Sequence, residues 1–215
     1  MARKSETKGR VWLGRAVWAG GLLPLAMLVY RGYMGRLGAD PIAVAMNQLG
    51  LLALVLLLLS LACTPLRIVT KAAWPIAIRR TLGLLGFGYA TLHVAMYAVV
   101  DQGLDLPSII DDVTTRPFTI FGALTWLLLL PLAATSSKKA VQALGAVTWR
   151  RLHKLAYVCG ALAIVHFTLR VKKDYSEPLL YGSVLALLLA IRVVDAIRRR
   201  RAVASSGETR QGGRT

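Results

Sequence analysis

The sequence predicts an all-α integral membrane protein, a six-helix bundle with both termini in the cytoplasm. Three observations predict it: six long apolar runs, a shortage of charge, and basic residues gathered where the runs end. Of the 215 residues, 56% are hydrophobic and only 17% are charged, against about a quarter charged in an ordinary soluble domain. A spanning helix needs about 20 mostly apolar residues to cross ~30 Å of hydrocarbon. The chain supplies such runs over Val11–Tyr30, Ile42–Cys63, Leu82–Val100, Phe118–Ala134, Leu152–Leu169 and Leu179–Val194.

The first run follows a basic N-terminus and resembles a signal peptide. Arg15 and Pro24 interrupt it and no small-residue cleavage site follows, so it is expected to be a retained first helix. The second run, with its LLALVLLLLSLA core, is the most apolar of the six. The third and fifth carry histidines. The fourth and sixth are short, so Arg192 is expected to snorkel to the interface. The GLLGFG stretch in the third run sits inside a hydrophobic helix and reads as packing, not as a dinucleotide loop. The predicted organisation is a basic cytoplasmic N-terminus over 1–10, a six-helix membrane domain over 11–197, and a basic tail over 198–215. Beyond Arg201 the tail is polar and glycine-rich, cannot bury enough apolar surface to fold, and is expected to lack structure.

Lys and Arg exceed Asp and Glu by 27 to 10. A nucleic-acid-binding protein gathers such charge on a soluble face or a groove-reading helix. Here the basic residues flank apolar runs, among them Arg67, Lys71, Arg79, Arg80, Lys138, Lys139, Arg150, Arg151 and Arg198 to Arg201. These fall on the side of the termini, and the positive-inside rule makes that side cytoplasmic. No nucleic-acid partner is expected. The opposite side holds the acidic loop with Asp101, Asp105, Asp111 and Asp112; Arg170, Lys172 and Lys173 are the one outer cluster against the rule. Cys63 and Cys159 lie inside apolar runs, without disulfide or zinc spacing.

All three histidines, His93, His153 and His166, lie in or beside apolar helices. Ionisable groups in a membrane are costly and by default functional. The competing account, packing hydrogen bonds across helix interfaces, serves one such residue better than three. His93 lies 13 residues past Arg80 and His166 15 past Arg151. On helices running the same way, the two imidazoles then differ in depth by only about 3 Å, as axial ligation of one haem iron requires. Zinc fits less well, because no third or fourth ligand is evident. Gly86, Ala90, Cys159 and Ala163 leave space for a flat macrocycle or simply promote helix packing. His153 lies about 20 Å from His166 and about 140° away around an ideal helix. It has no partner histidine, which disfavours a second bis-histidine haem and leaves it as a haem ligand with some other partner, a contact for a flavin or quinone, or a residue of the interface. Arg79, Arg80 and Arg151 are candidate partners of haem propionates or a flavin phosphate, or topology anchors.

Four segments carry a resemblance: TPLR at Thr64–Arg67, RRTLGLLGFGYATLHVAMY at Arg79–Tyr97, TTRPFTIFGALTWLLLLPLAATS from Thr114, and WRRLHKLAYVCGALAIVHFTLRVK at Trp149–Lys172. They cover the second to fifth helices, and the chain resembles the MsrQ (YedZ) family of the ferric-reductase-like transmembrane superfamily. That resemblance implies haem b and FMN as cofactors in the bacterial inner membrane. It implies electron transfer from the respiratory quinone pool to a periplasmic molybdopterin partner of the MsrP type, which forms a heterodimer with this chain and reduces methionine sulfoxide in oxidised proteins. It carries the haem-ligand positions onto His93 and His166 and a third functional histidine onto His153. Catalysis lies in the partner, for which the two outer loops are expected docking surfaces. The rival readings are another ferric-reductase-like cytochrome b fed by a separate reductase, and a non-redox small transporter or scaffold.

Overall fold

The computed structural model describes the backbone of residues 2–212 and the side chains of 9 and 11–202. It contains helices α1 (Ala2–Tyr33), α2 (Pro41–Thr70), α3 (Trp74–Ala95), α4 (Leu106–Thr115), α5 (Pro117–Ala134), α6 (Lys138–Leu144), α7 (Ala146–Leu152), α8 (Leu155–Arg170) and α9 (Ser176–Gly212), with a π-helical segment over Met96–Asp101. Six stretches are long and apolar enough to span a bilayer: Val11–Tyr33, Pro41–Thr70, Trp74–Asp101, Pro117–Ala134, Ala146–Arg170 and Ser176–Ala202. Each of the six predicted runs falls within one of these stretches, the fifth with a turn at His153–Lys154, and the protein is a multi-pass membrane protein. Six crossings put both termini on one side, called here the terminal face.

Local chemistry sets the ends. Asp40 caps α2 by accepting from the Ala43 amide at 2.9 Å, with Pro41 opening the first turn, where its missing N–H costs nothing. Lys71 closes the same helix in the left-handed region at φ 59°. Pro117 begins α5, and Ser137 caps α6 through the Ala140 amide. The basic N-terminal decapeptide lies, apart from Gly9, outside the described side chains, as does the tail from 203. The tail expected to lack structure beyond Arg201 has helical backbone as far as Gly212. Extending an existing helix adds one hydrogen bond per residue without a new nucleation cost.

The helix α2 is central. Leu56 packs with Leu28, Leu82, Leu85 and Tyr89 of α1 and α3. On other faces Leu54, Leu58 and Leu61 meet Leu185 of α9, and Leu57 meets Leu129, Leu132 and Cys159 of α5 and α8. The helices α2, α3, α5 and α8 close a four-membered ring by packing in that order, so α3 and α8 stand diagonally across it. Outer-ring residues such as Leu23, Met27, Leu127 and Leu187 remain exposed, as lipid-facing positions must.

Two side chains repair helices that cannot satisfy themselves. Tyr89 inserts its hydroxyl into α1 beside Pro24, donating to the Gly21 carbonyl at 2.6 Å and accepting from the Leu25 amide at 3.1 Å. Arg192 does not snorkel outward as expected. It turns into the bundle, bonds the Tyr157 hydroxyl and donates to the Leu61 carbonyl at 2.8 Å. Pro65, four residues on, has no N–H for that carbonyl, and in hydrocarbon a freed backbone group must find a partner.

Candidate functional site

The diagonal helices bring His93 of α3 and His166 of α8 together, with ring centroids 6.2 Å apart and planes crossed at 81°. A metal–imidazole bond is about 2.0–2.1 Å, and a five-membered ring with bonds near 1.33 Å puts its nitrogen roughly 1.1 Å from its centre. Two imidazoles on opposite sides of one metal ion thus have centroids roughly 6.2–6.4 Å apart. The observed separation matches that arrangement.

Each ring is oriented by a backbone carbonyl of the neighbouring helix. His93 Nδ1 lies 2.8 Å from the Met46 carbonyl of α2, and His166 Nδ1 lies 2.6 Å from the Phe118 carbonyl of α5. A carbonyl can only accept, so Nδ1 carries the proton in both rings and Nε2 keeps its lone pair. This is the support that metal-ligating histidines characteristically have. Among the described residues no group of three or more His, Cys, Asp or Glu side chains converges. A metal here would take its remaining ligands from a macrocycle, as a haem iron does.

Small residues do surround the pair. Cys159 and Ala90 pack with Leu57, Leu129 and Leu132 on the terminal side of the pair. Gly86 admits the α2 backbone, since a Cβ there would meet Leu57 N at 3.2 Å and Ala53 O at 3.3 Å; its role is close helix packing. Arg170, one turn past His166, acts electrostatically on both imidazoles, a cation that sequence reasoning left out of the site. It stands at i+4 from a ligand candidate on a helix, the one signal that could have flagged it.

The remaining candidates lie elsewhere. His153 sits where α7 gives way to α8, stacked on Trp149 at 4.0 Å and with Nε2 3.1 Å from the Thr135 hydroxyl. Trp149 Nε1 in turn donates to the Thr135 carbonyl at 2.9 Å. Arg79 donates to Thr64 at 3.4 Å, and its charge reaches His153. Arg80 and Arg151 are exposed. The structure therefore groups Arg79 with His153 near the terminal face and brings none of the three arginines to the His93–His166 pair.

On the opposite face, α4 packs on α5 and meets the π-helical segment that follows α3. Asp112, expected in an open acidic loop, is buried; it pairs with Arg116 at 3.0 Å and accepts from the Tyr97 hydroxyl at 3.1 Å. Tyr97 belongs to the π-helical segment, the extra residue of which re-aims the chain one turn after His93. Asp101, Asp105 and Asp111 stay exposed.

Comparison with known proteins agrees with this architecture. A family model described as "Ferric reductase like transmembrane component" matches residues 49–164, which include His93 and His153 and stop just before His166. The protein-methionine-sulfoxide reductase heme-binding subunit MsrQ of Deinococcus radiodurans is 46% identical over 190 residues, 88% of this chain and 94% of that protein. The subunit of the same name from Rhodospirillum rubrum is 43% identical over 202 residues, 94% and 97% of the two chains. That of Caulobacter vibrioides is 40% identical over 182 residues, 85% and 87%.

Proposed function

The chain belongs to the ferric-reductase-like transmembrane family and, within it, to the MsrQ haem-binding subunits of protein-methionine-sulfoxide reductases, and from that premise we propose how its residues serve electron transfer. His93 and His166 would hold one haem b through their Nε2 atoms. The observation that carries this is the 6.2 Å centroid spacing with both Nδ1 atoms engaged by carbonyls. Haem held there supplies one-electron oxidation and reduction within the hydrocarbon layer.

The protein's own residues orient and insulate. Met46 and Phe118 orient each imidazole and leave its Nε2 available, and the Leu57, Leu129, Leu132 and Cys159 cluster closes the terminal side against water. Arg170 is the cation that these residues offer to a propionate. By the positive-inside rule the terminal face is cytoplasmic, and the histidine pair stands in the periplasmic half of an inner-membrane protein. His153, stacked on Trp149 with Arg79 near it, is the contact for a second carrier, FMN. Arg80 and Arg151 are exposed cations for its phosphate. Electrons enter from the quinone pool and leave to a periplasmic molybdopterin catalytic subunit of the MsrP type, which reduces methionine sulfoxide in proteins.

Reconstitution in liposomes tests this reading. A reduced quinone should reduce the haem, and the catalytic subunit with a methionine-sulfoxide protein outside should reoxidise it. Reduction without any reoxidation by the loaded partner would make the chain a cytochrome of different destination.

A further inference from the structure

Glycine in the middle of a transmembrane helix runs against helix propensity, and two such glycines face the histidine pair. Gly50 follows Met46 by four residues on α2, and Gly122 follows Phe118 by four on α5. Met46 and Phe118 supply the carbonyls that hold His93 and His166. In an α-helix the Cα–Cβ bond tilts toward the N-terminus, so a side chain at i+4 covers the approach to the carbonyl of residue i. Removing that side chain is what lets an imidazole lie flat against the helix and reach the carbonyl edge-on.

The spacing bears this out at both sites. A Cβ built on Gly122 would stand 2.8 Å from both Cε1 and Nδ1 of His166, closer than real Cβ contacts allow. On Gly50 it would stand 3.1 Å from Cε1 and 3.2 Å from Nδ1 of His93, tight by a few tenths of an ångström. Other helical glycines differ: Gly20 and Gly88 have nothing within 4 Å, and Gly86 faces backbone. The same device thus occurs twice, on the two helices of one diagonal of the ring, serving the two helices of the other.

We propose that Gly50 and Gly122 are positioning residues for the histidine pair: each opens a slot that seats one imidazole, fixes which ring nitrogen carries the proton and holds the two planes crossed. The proposal rests on the reading that this pair ligates haem. It adds a consequence that ligation alone does not carry. Crossed imidazole planes leave the two iron dπ orbitals nearly degenerate and give a ferric haem a strongly anisotropic low-spin resonance. Parallel planes split those orbitals and give a rhombic one. The Nδ1–carbonyl bond also raises ligand basicity, which favours the ferric state, so losing it raises the midpoint potential.

The experiment is electron paramagnetic resonance and redox titration of the purified, haem-loaded wild-type protein and of Gly122→Ala, Gly50→Ala and Gly88→Ala. The wild type should show the strongly anisotropic signal. Gly122→Ala should lose most of it, to a rhombic or high-spin signal or to haem loss in a monodisperse protein, with a raised potential in any haem retained. Gly50→Ala should move the same way by less, and Gly88→Ala should match the wild type. If Gly122→Ala does not accumulate, Gly50→Ala decides alone. Its clash is small enough that the fold must survive, so an aggregated Gly50→Ala protein counts against the proposal. Wild-type line shape and potential in both slot variants overturn it. A wild type without any bis-histidine signal fails the haem reading itself, before the variants are compared.

Discussion

The Arg192 guanidinium donates to the Leu61 carbonyl at 2.8 Å, the backbone oxygen that Pro65 leaves without its helical donor. The same guanidinium lies 4.9 Å from the Tyr157 ring centroid. An intramembrane arginine therefore ties α9 to the middle of α2 and to α8. Arg192→Leu should lower stability by about 1–2 kcal/mol, the cost of an unsatisfied buried acceptor moderated by the small net worth of hydrogen bonds in membranes. Pro65→Ala restores the missing N–H, so the Arg192→Leu penalty should shrink in that background. Thermal unfolding of the four proteins in detergent measures the coupling. Equal penalties in both backgrounds would show that Arg192 acts through some other contact.

Asp112 ties the short outer helix α4 to the bundle through Arg116 and Tyr97. Arg116 is 58% exposed, which discounts the pair well below the several kcal/mol of a fully buried one. Asp112→Ala should free α4 by roughly 1–2 kcal/mol, raising limited proteolysis between 101 and 116 about tenfold where cleavage follows the opened population. The haem spectrum should not change. Unaltered proteolysis would mean that α4 is held by its apolar contacts alone.

Arg170 places a positive charge near both imidazoles. A cation disfavours the more positive, oxidised state of a nearby haem and so raises its potential; Arg170→Ala should lower it. A loss of about 1 kcal/mol of interaction corresponds to tens of millivolts, given about 59 mV per tenfold change for one electron. An upward shift would contradict this placement of the charge.

His153 has its own partners, Thr135 and Trp149, away from the pair. His153→Ala should retain the full haem complement while slowing haem reduction by quinol in liposomes. Loss of haem in proportion to His93→Ala would instead make His153 an iron ligand.

Much of this arrangement was legible in the sequence, for physical reasons. Apolar length fixes a spanning helix with no knowledge of its neighbours, so all six spans could be read. Counting residues from basic interface anchors placed His93 and His166 at one depth, and they stand 6.2 Å apart. What could not be read depends on which helix lies beside which. Gly50 and Gly122 are ordinary until α2 is known to flank α3 and α5 to flank α8. The short sixth run sends Arg192 to the interface on sequence grounds; it turns inward because Pro65 frees an acceptor that only tertiary contact reveals. Asp112 was counted among loop aspartates because its burial depends on Tyr97 in a π-helical turn.

The most direct test of the central claim is a dithionite-reduced minus oxidised visible spectrum of the detergent-purified protein, with pyridine-haemochrome quantitation, on wild type, His93→Ala and His166→Ala. The account predicts a b-type α-band in the wild type at about one haem per chain, lost in both variants. A wild-type protein that stays colourless after haem supplementation, or an α-band that survives either substitution, would contradict it.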